Sequence, residues 1–68
     1  MNLKSKLESL LFVAIKPLTL KELISATDEK KQAVEEALNA LAQDYEQSGS
    51  GLRLLINNHS YQLSTAPE

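Results

Sequence analysis

Apolar residues recur at spacings of three and four through the first part of the chain: Leu3, Leu7, Leu10, Leu11 and Ala14. That spacing predicts a helix from about Asn2 to Ile15 with this stripe turned to the core. Pro17 cannot continue it and disfavours helical geometry at Lys16, so the chain turns into a short extended piece. Thr19-Leu20-Lys21-Glu22 then reads as a capping box, with Leu18 and Leu23 placed as a hydrophobic staple. The second helix this opens runs to about Ala26, short enough to need tertiary contacts. Thr27, Asp28 and Glu29 offer a cap and first-turn acids for a third helix reaching about Gln47. Its stripe is Val34, Ala37, Leu38, Leu41 and Tyr45, opposite Glu35, Glu36, Gln43 and Glu46. Gly49 and Gly51 supply the left-handed backbone a helix exit favours.

After Gly51 the period falls from helical to two. Leu52, Leu54 and Ile56 point one way, Arg53 and Leu55 the other. Asn57-Asn58-His59 is turn chemistry, and Tyr61, Leu63 and Thr65 alternate beyond it, so residues 52–65 form a hairpin. The extended piece around Leu18 can add a third strand. Helix, short strand, helix, helix, hairpin is the order of an α+β winged helix-turn-helix domain, three helices with a C-terminal β-hairpin wing. It occupies residues 1–65, and Ala66-Pro67-Glu68 reads as the start of a linker.

Composition narrows the functional choices. A chain of 68 residues holds one core, and a domain so small has a thin stability margin that self-association would widen. There is no cysteine and a single histidine, so neither a disulfide framework nor a structural metal site is expected, and no cofactor. The apolar run Leu10 to Ile15 is far short of the roughly 20 residues of a membrane span. The amino terminus lacks a signal-peptide pattern, which makes the expected location cytoplasmic. Acid–base catalysis needs titratable groups held together, and none qualify. His59 sits in a polar turn, Glu35 and Glu36 diverge on their helix, and Gly49-Ser50-Gly51 precedes a strand rather than the helix N-terminus that cradles phosphate. The expectation is a protein that is not an enzyme.

Two runs of residues carry a family resemblance. Leu7-Glu8-Ser9-Leu10-Leu11-Phe12-Val13-Ala14-Ile15-Lys16-Pro17-Leu18-Thr19-Leu20-Lys21-Glu22-Leu23 resembles the opening of the segregation and condensation protein B family. Gly51-Leu52-Arg53-Leu54 with Tyr61-Gln62-Leu63-Ser64-Thr65 is similar to that family's wing, and Val34-Glu35-Glu36-Ala37-Leu38 with Leu41 fits its third helix. Ile15 departs from the glycine usual there. The resemblance implies a non-catalytic accessory subunit of the bacterial SMC–kleisin condensin complex, acting in chromosome condensation and segregation before cell division. It further implies a homodimer that binds the kleisin subunit, segregation and condensation protein A, and through it the SMC ATPase, in a cytoplasmic and nucleoid-associated setting. A second domain, absent from this chain, would follow the linker.

A winged helix raises a rival reading, a sequence-specific DNA-binding transcription regulator whose third helix enters the major groove. Lys30, Lys31 and Gln32 at the start of that helix and Arg53 on the wing are its candidate contacts. Against it, residues 28–47 carry six acids and two lysines, and the net charge is -2, the wrong sign for phosphate. Direct specific DNA binding is therefore not expected. For protein binding the leading candidates are Phe12 and Val13: with about 100° of turn per residue they fall about 150° and about 110° from the centre of the helix 1 core stripe, on opposite flanks. Leu55 joins them on the strand face opposite Leu52 and Leu54. Phe12 is then either covered by the wing or the short strand, or left exposed as an interface anchor.

Overall fold

The computed structural model describes residues 2–66. α1 (Leu3–Val13) opens at Asn2, whose Oδ1 accepts the Ser5 N–H at 2.8 Å, and closes two residues before Ile15 because Ala14 is already extended. β1 (Leu18–Thr19) leads directly into α2 (Leu20–Thr27). The capping box predicted there is complete: Thr19 Oγ1 accepts the Glu22 N–H at 3.1 Å, and Glu22 Oε1 accepts the Thr19 N–H at 2.9 Å. Two of the four orphan donors at a helix start are thus satisfied within four residues.

The cap expected from Thr27, Asp28 and Glu29 for the third helix is corrected by the structure. Thr27 is the last residue of α2, buried, with its hydroxyl donating to the Leu23 carbonyl at 2.8 Å. Asp28 takes the left-handed conformation (φ 54°) and donates its N–H to the Ile24 carbonyl at 2.9 Å. Asp tolerates the left-handed backbone and a Thr hydroxyl can bond back to the preceding turn, so these residues close α2 instead of opening α3. α3 (Lys31–Gln47) begins later, with Lys30 as its N-cap and no side-chain cap bond.

The helix exit and the wing follow the expected chemistry with one difference. Gly49 has φ 66° while Gly51 is not left-handed. The turn between β2 (Leu52–Asn57) and β3 (Ser60–Thr65) is two residues long, with φ 48° at Asn58 and 65° at His59. Positive φ at both central positions matches the right-handed twist of the flanking strands. The His59 carbonyl accepts the Leu20 N–H at 2.8 Å, tying the wing tip to the start of α2.

The sheet is antiparallel in the order β1-β3-β2, with Leu54 opposite Leu63, Leu55 opposite Gln62 and Ile56 opposite Tyr61. Leu52, Leu54 and Leu63 pack against a core of Leu7, Leu11, Leu20, Leu23, Val34, Leu38, Leu41, Tyr45 and Tyr61. Every helix contributes to that core, as the periodicity requires. Ile56 shares the inward face but stands beside the turn on the outer strand and is 54% exposed. Of the linker expected at 66–68, Pro67 and Glu68 lie outside the described residues. Ala66 still donates its N–H to the Gly51 carbonyl at 2.9 Å, extending the ladder by one pair.

Candidate protein interface

With Leu7 and Leu11 committed to the core, the next two residues of α1 turn outward. Phe12 and Val13 are each 73% exposed, and Ile15 beyond the helix end is 98% exposed. Neither the wing nor β1 covers Phe12. Its ring stands between two shallow recesses, one reaching Glu8, Ser9 and Val13, the other reaching Ala14, Leu63 and Thr65. Leu52, the first residue of β2, lines both. An aromatic ring beside concave apolar surface is the usual geometry of an interface anchor.

A polar seam holds α1 in this orientation. Lys4 Nζ pairs with the Asp44 carboxylate, and the Tyr45 hydroxyl donates to Glu8 Oε2. Burial first, and then the Glu8 carboxylate, push the Tyr45 phenol well above its ordinary range, so it remains a donor. Tyr61 is raised in the same way, by burial and then by the charge of Glu35. The Lys4–Asp44 and Tyr45–Glu8 contacts join α1 to α3 and leave the Phe12 side of α1 unclaimed.

Leu55 is 50% exposed on the outer sheet face, where a shallow recess near Pro17 and Gln62 adjoins it. The structure therefore leaves Phe12, Val13 and Leu55 available, and adds Ile15 and Ile56, which periodicity had assigned to a helix and to the inward strand face. No signal in the sequence set Ile15 apart, because Pro17 restricts Lys16 directly while the chain already leaves the helix at Ala14.

The residues of the DNA reading are placed differently. Lys30, Lys31 and Gln32 are exposed at the start of α3, and Gln32 Nε2 donates to Glu36 Oε1 at 3.3 Å. Arg53 is turned back on its own chain: Nη1 lies 2.8 Å from the Ser50 carbonyl, 2.7 Å from that of Leu52 and 3.4 Å from that of Tyr45. Tyr45 lies in the last turn of α3, Ser50 in its exit loop and Leu52 at the start of β2, so the guanidinium gathers the carbonyls where the helix hands over to the strand and places its charge at the negative end of the helix dipole. As folded, α3 carries Glu35, Glu36, Asp44 and Glu46 against Lys31. Among the described residues no group of three or more His, Cys, Asp or Glu side chains could hold a metal, and no helix is long and apolar enough to cross a membrane.

The sequence model of the family described as "Segregation and condensation complex subunit ScpB" matches residues 5–68. Segregation and condensation protein B of Clostridium botulinum (strain Kyoto / Type A2) is 37% identical over 65 residues, covering 96% of this chain and 34% of the relative. That of Alkaliphilus oremlandii is 33% identical over 67 residues, covering 98% and 36%. The chain thus spans about a third of the length of these relatives. ScpB from Mycobacterium tuberculosis superposes with a TM-score of 0.88 at 30% identity, over 94% of this chain and 40% of that one. A dimer of an ScpB N-terminal domain complexed with an ScpA peptide shares the fold, at a TM-score of 0.85 and 23% identity over 93% of this chain and 79% of that one. The helix order, the wing and the sequence identity agree: this chain belongs to the segregation and condensation complex subunit ScpB family.

Proposed function

We propose that the chain is a non-enzymatic module of the bacterial SMC–kleisin condensin complex, pairing with a second copy and binding the kleisin, in the cytoplasm at the nucleoid. The observation that carries this reading is the exposure of Phe12 and Val13, 73% each, beside the recesses at Leu52. Burying one phenylalanine side chain contributes roughly 1.5–3 kcal/mol, and a twofold interface uses it twice. Leu55 extends the same apolar supply on the sheet. Support also comes from the fold shared with an ScpB N-terminal domain that was crystallised as a dimer with an ScpA peptide. DNA recognition is disfavoured by the acids of α3 and by the engagement of Arg53 with backbone carbonyls.

Calorimetric titration of the chain with the purified kleisin of the same organism tests the reading. Saturable binding is expected, weakened in Phe12→Ser. A folded chain that shows no binding at tens of micromolar, about 6 kcal/mol of affinity, contradicts it.

A further inference from the structure

The outer edge of β2 is unpaired among the described residues, because β2 is the last strand in the order β1-β3-β2. In an antiparallel ladder alternate residues direct their N–H and C=O groups to one neighbour, and the residues between them direct theirs the other way. The Ala66 N–H to Gly51 carbonyl bond and the two-residue turn fix the phase. Arg53, Leu55 and Asn57 face β3, while Leu52, Leu54 and Ile56 present their backbone groups to the open edge. At Leu52 the edge is closed locally: its N–H donates to Ser50 Oγ at 3.0 Å, and its carbonyl accepts from Arg53 Nη1. Among the described residues no hydrogen bond covers the edge at Leu54 or Ile56, and the segment Leu54–Asn57 holds no charge and no proline. Exposed edges are ordinarily guarded by those residues.

We propose that this open half-edge pairs antiparallel with the same segment of a second copy, about a twofold axis beside Leu55. The inference rests on the self-association proposed above and names its backbone element. In this register Leu54 lies opposite Ile56 of the second copy, and vice versa, so four backbone hydrogen bonds form. The two Leu55 residues meet in a non-hydrogen-bonded pair with Cα atoms about 4.5 Å apart, the closer of the two antiparallel spacings. Arg53 falls opposite Asn57 of the second copy, whereas a register centred on Arg53 would set like charges face to face.

Area also calls for a second element. Covering Phe12 and Val13 completely hides on the order of 250 Å² per protomer, against the roughly 800 Å² that a stable interface takes from each partner. Leu55 and Ile56 are the exposed aliphatics on the neighbouring strand, which begins at Leu52 beside the Phe12 ring.

Amide hydrogen exchange of the unmodified chain at low and high concentration is the test, with molar mass followed in parallel and Ile56→Pro as the variant. Proline at position 56 removes an N–H that β3 does not use, so the hairpin ladder is retained. The expected result is a dimer whose Leu54 and Ile56 amides gain protection with concentration. In the variant two hydrogen bonds per dimer are lost and the dissociation constant rises on the order of tenfold or more. A dimer that Phe12→Ser dissociates, but whose Leu54 and Ile56 amides exchange equally fast at all concentrations, overturns the strand pairing and leaves the α1 reading intact. A chain that stays monomeric throughout overturns both.

Discussion

Replacing Thr19 with Ala removes one specific hydrogen bond, the 3.1 Å contact from the Glu22 N–H to Thr19 Oγ1. Thr19 is exposed, so little apolar burial is lost with its methyl group. The cost is that of an N-cap, about 1 kcal/mol. For a domain of this size that corresponds to a fall in Tm of about 4–8 °C, or to a urea midpoint lower by about 1 M at an m-value near 1 kcal/mol/M. Thr19→Ser retains the hydroxyl and should stay within a few tenths of a kcal/mol of the parent. The other half of the box adds a pH signature. The Thr19 backbone N–H, then its hydroxyl, and with them the charge of Lys16, hold the Glu22 carboxyl below its ordinary value. A depressed carboxyl stabilises the fold above its unfolded pKa, and that contribution is lost as pH falls through the folded value. The stability difference between the parent and Glu22→Gln should therefore be present at neutral pH and disappear in acid. Urea melts in which Thr19→Ala and Thr19→Ser both match the parent at neutral pH would show that the hydroxyl carries no energy and is not the cap of α2.

Arg53→Met should destabilise the chain by about 1.5–3 kcal/mol in denaturant melts, since the carbonyls of Ser50 and Leu52 lose a charged donor; a variant as stable as the parent would show that the guanidinium cap is idle. Gel-shift titrations with duplex DNA should show at most weak, sequence-independent binding that is abolished by added salt and by Lys30→Ala with Lys31→Ala. A submicromolar, sequence-dependent dissociation constant would contradict that expectation.

The core and the element order were legible because the first and third helices each commit a clean stripe at three-and-four spacing, the second is announced by its capping box, and the wing alternates with period two. Leu7, Leu11, Val34, Leu38 and Leu41 were assignable from spacing alone, Leu23 as one half of a hydrophobic staple, and the Thr19–Glu22 box from four adjacent residues. What resisted reading depends on competition between local options or on distance in the chain. Thr27 and Asp28 have the chemistry of a helix start and were used for a helix end, a choice settled by the buried Thr27 hydroxyl and the left-handed Asp28. Arg53 looked like a wing cation until the fold brought the α3 carboxyl end beside it. Phe12 could be placed off the core stripe by its angle, but whether another element covered it depended on where the hairpin packs. Ile56 had the right strand parity for burial, and its exposure follows from its place beside the turn of the outer strand.

The claim that this chain is a self-associating module is tested most directly by its molar mass in light scattering across a concentration series, with circular dichroism confirming the fold. The mass should rise from the monomer value of 7.5 kDa toward twice that, while folded Phe12→Ser remains at the monomer value under the same conditions. A parent chain that is fully folded and still 7.5 kDa at its highest soluble concentration would contradict it.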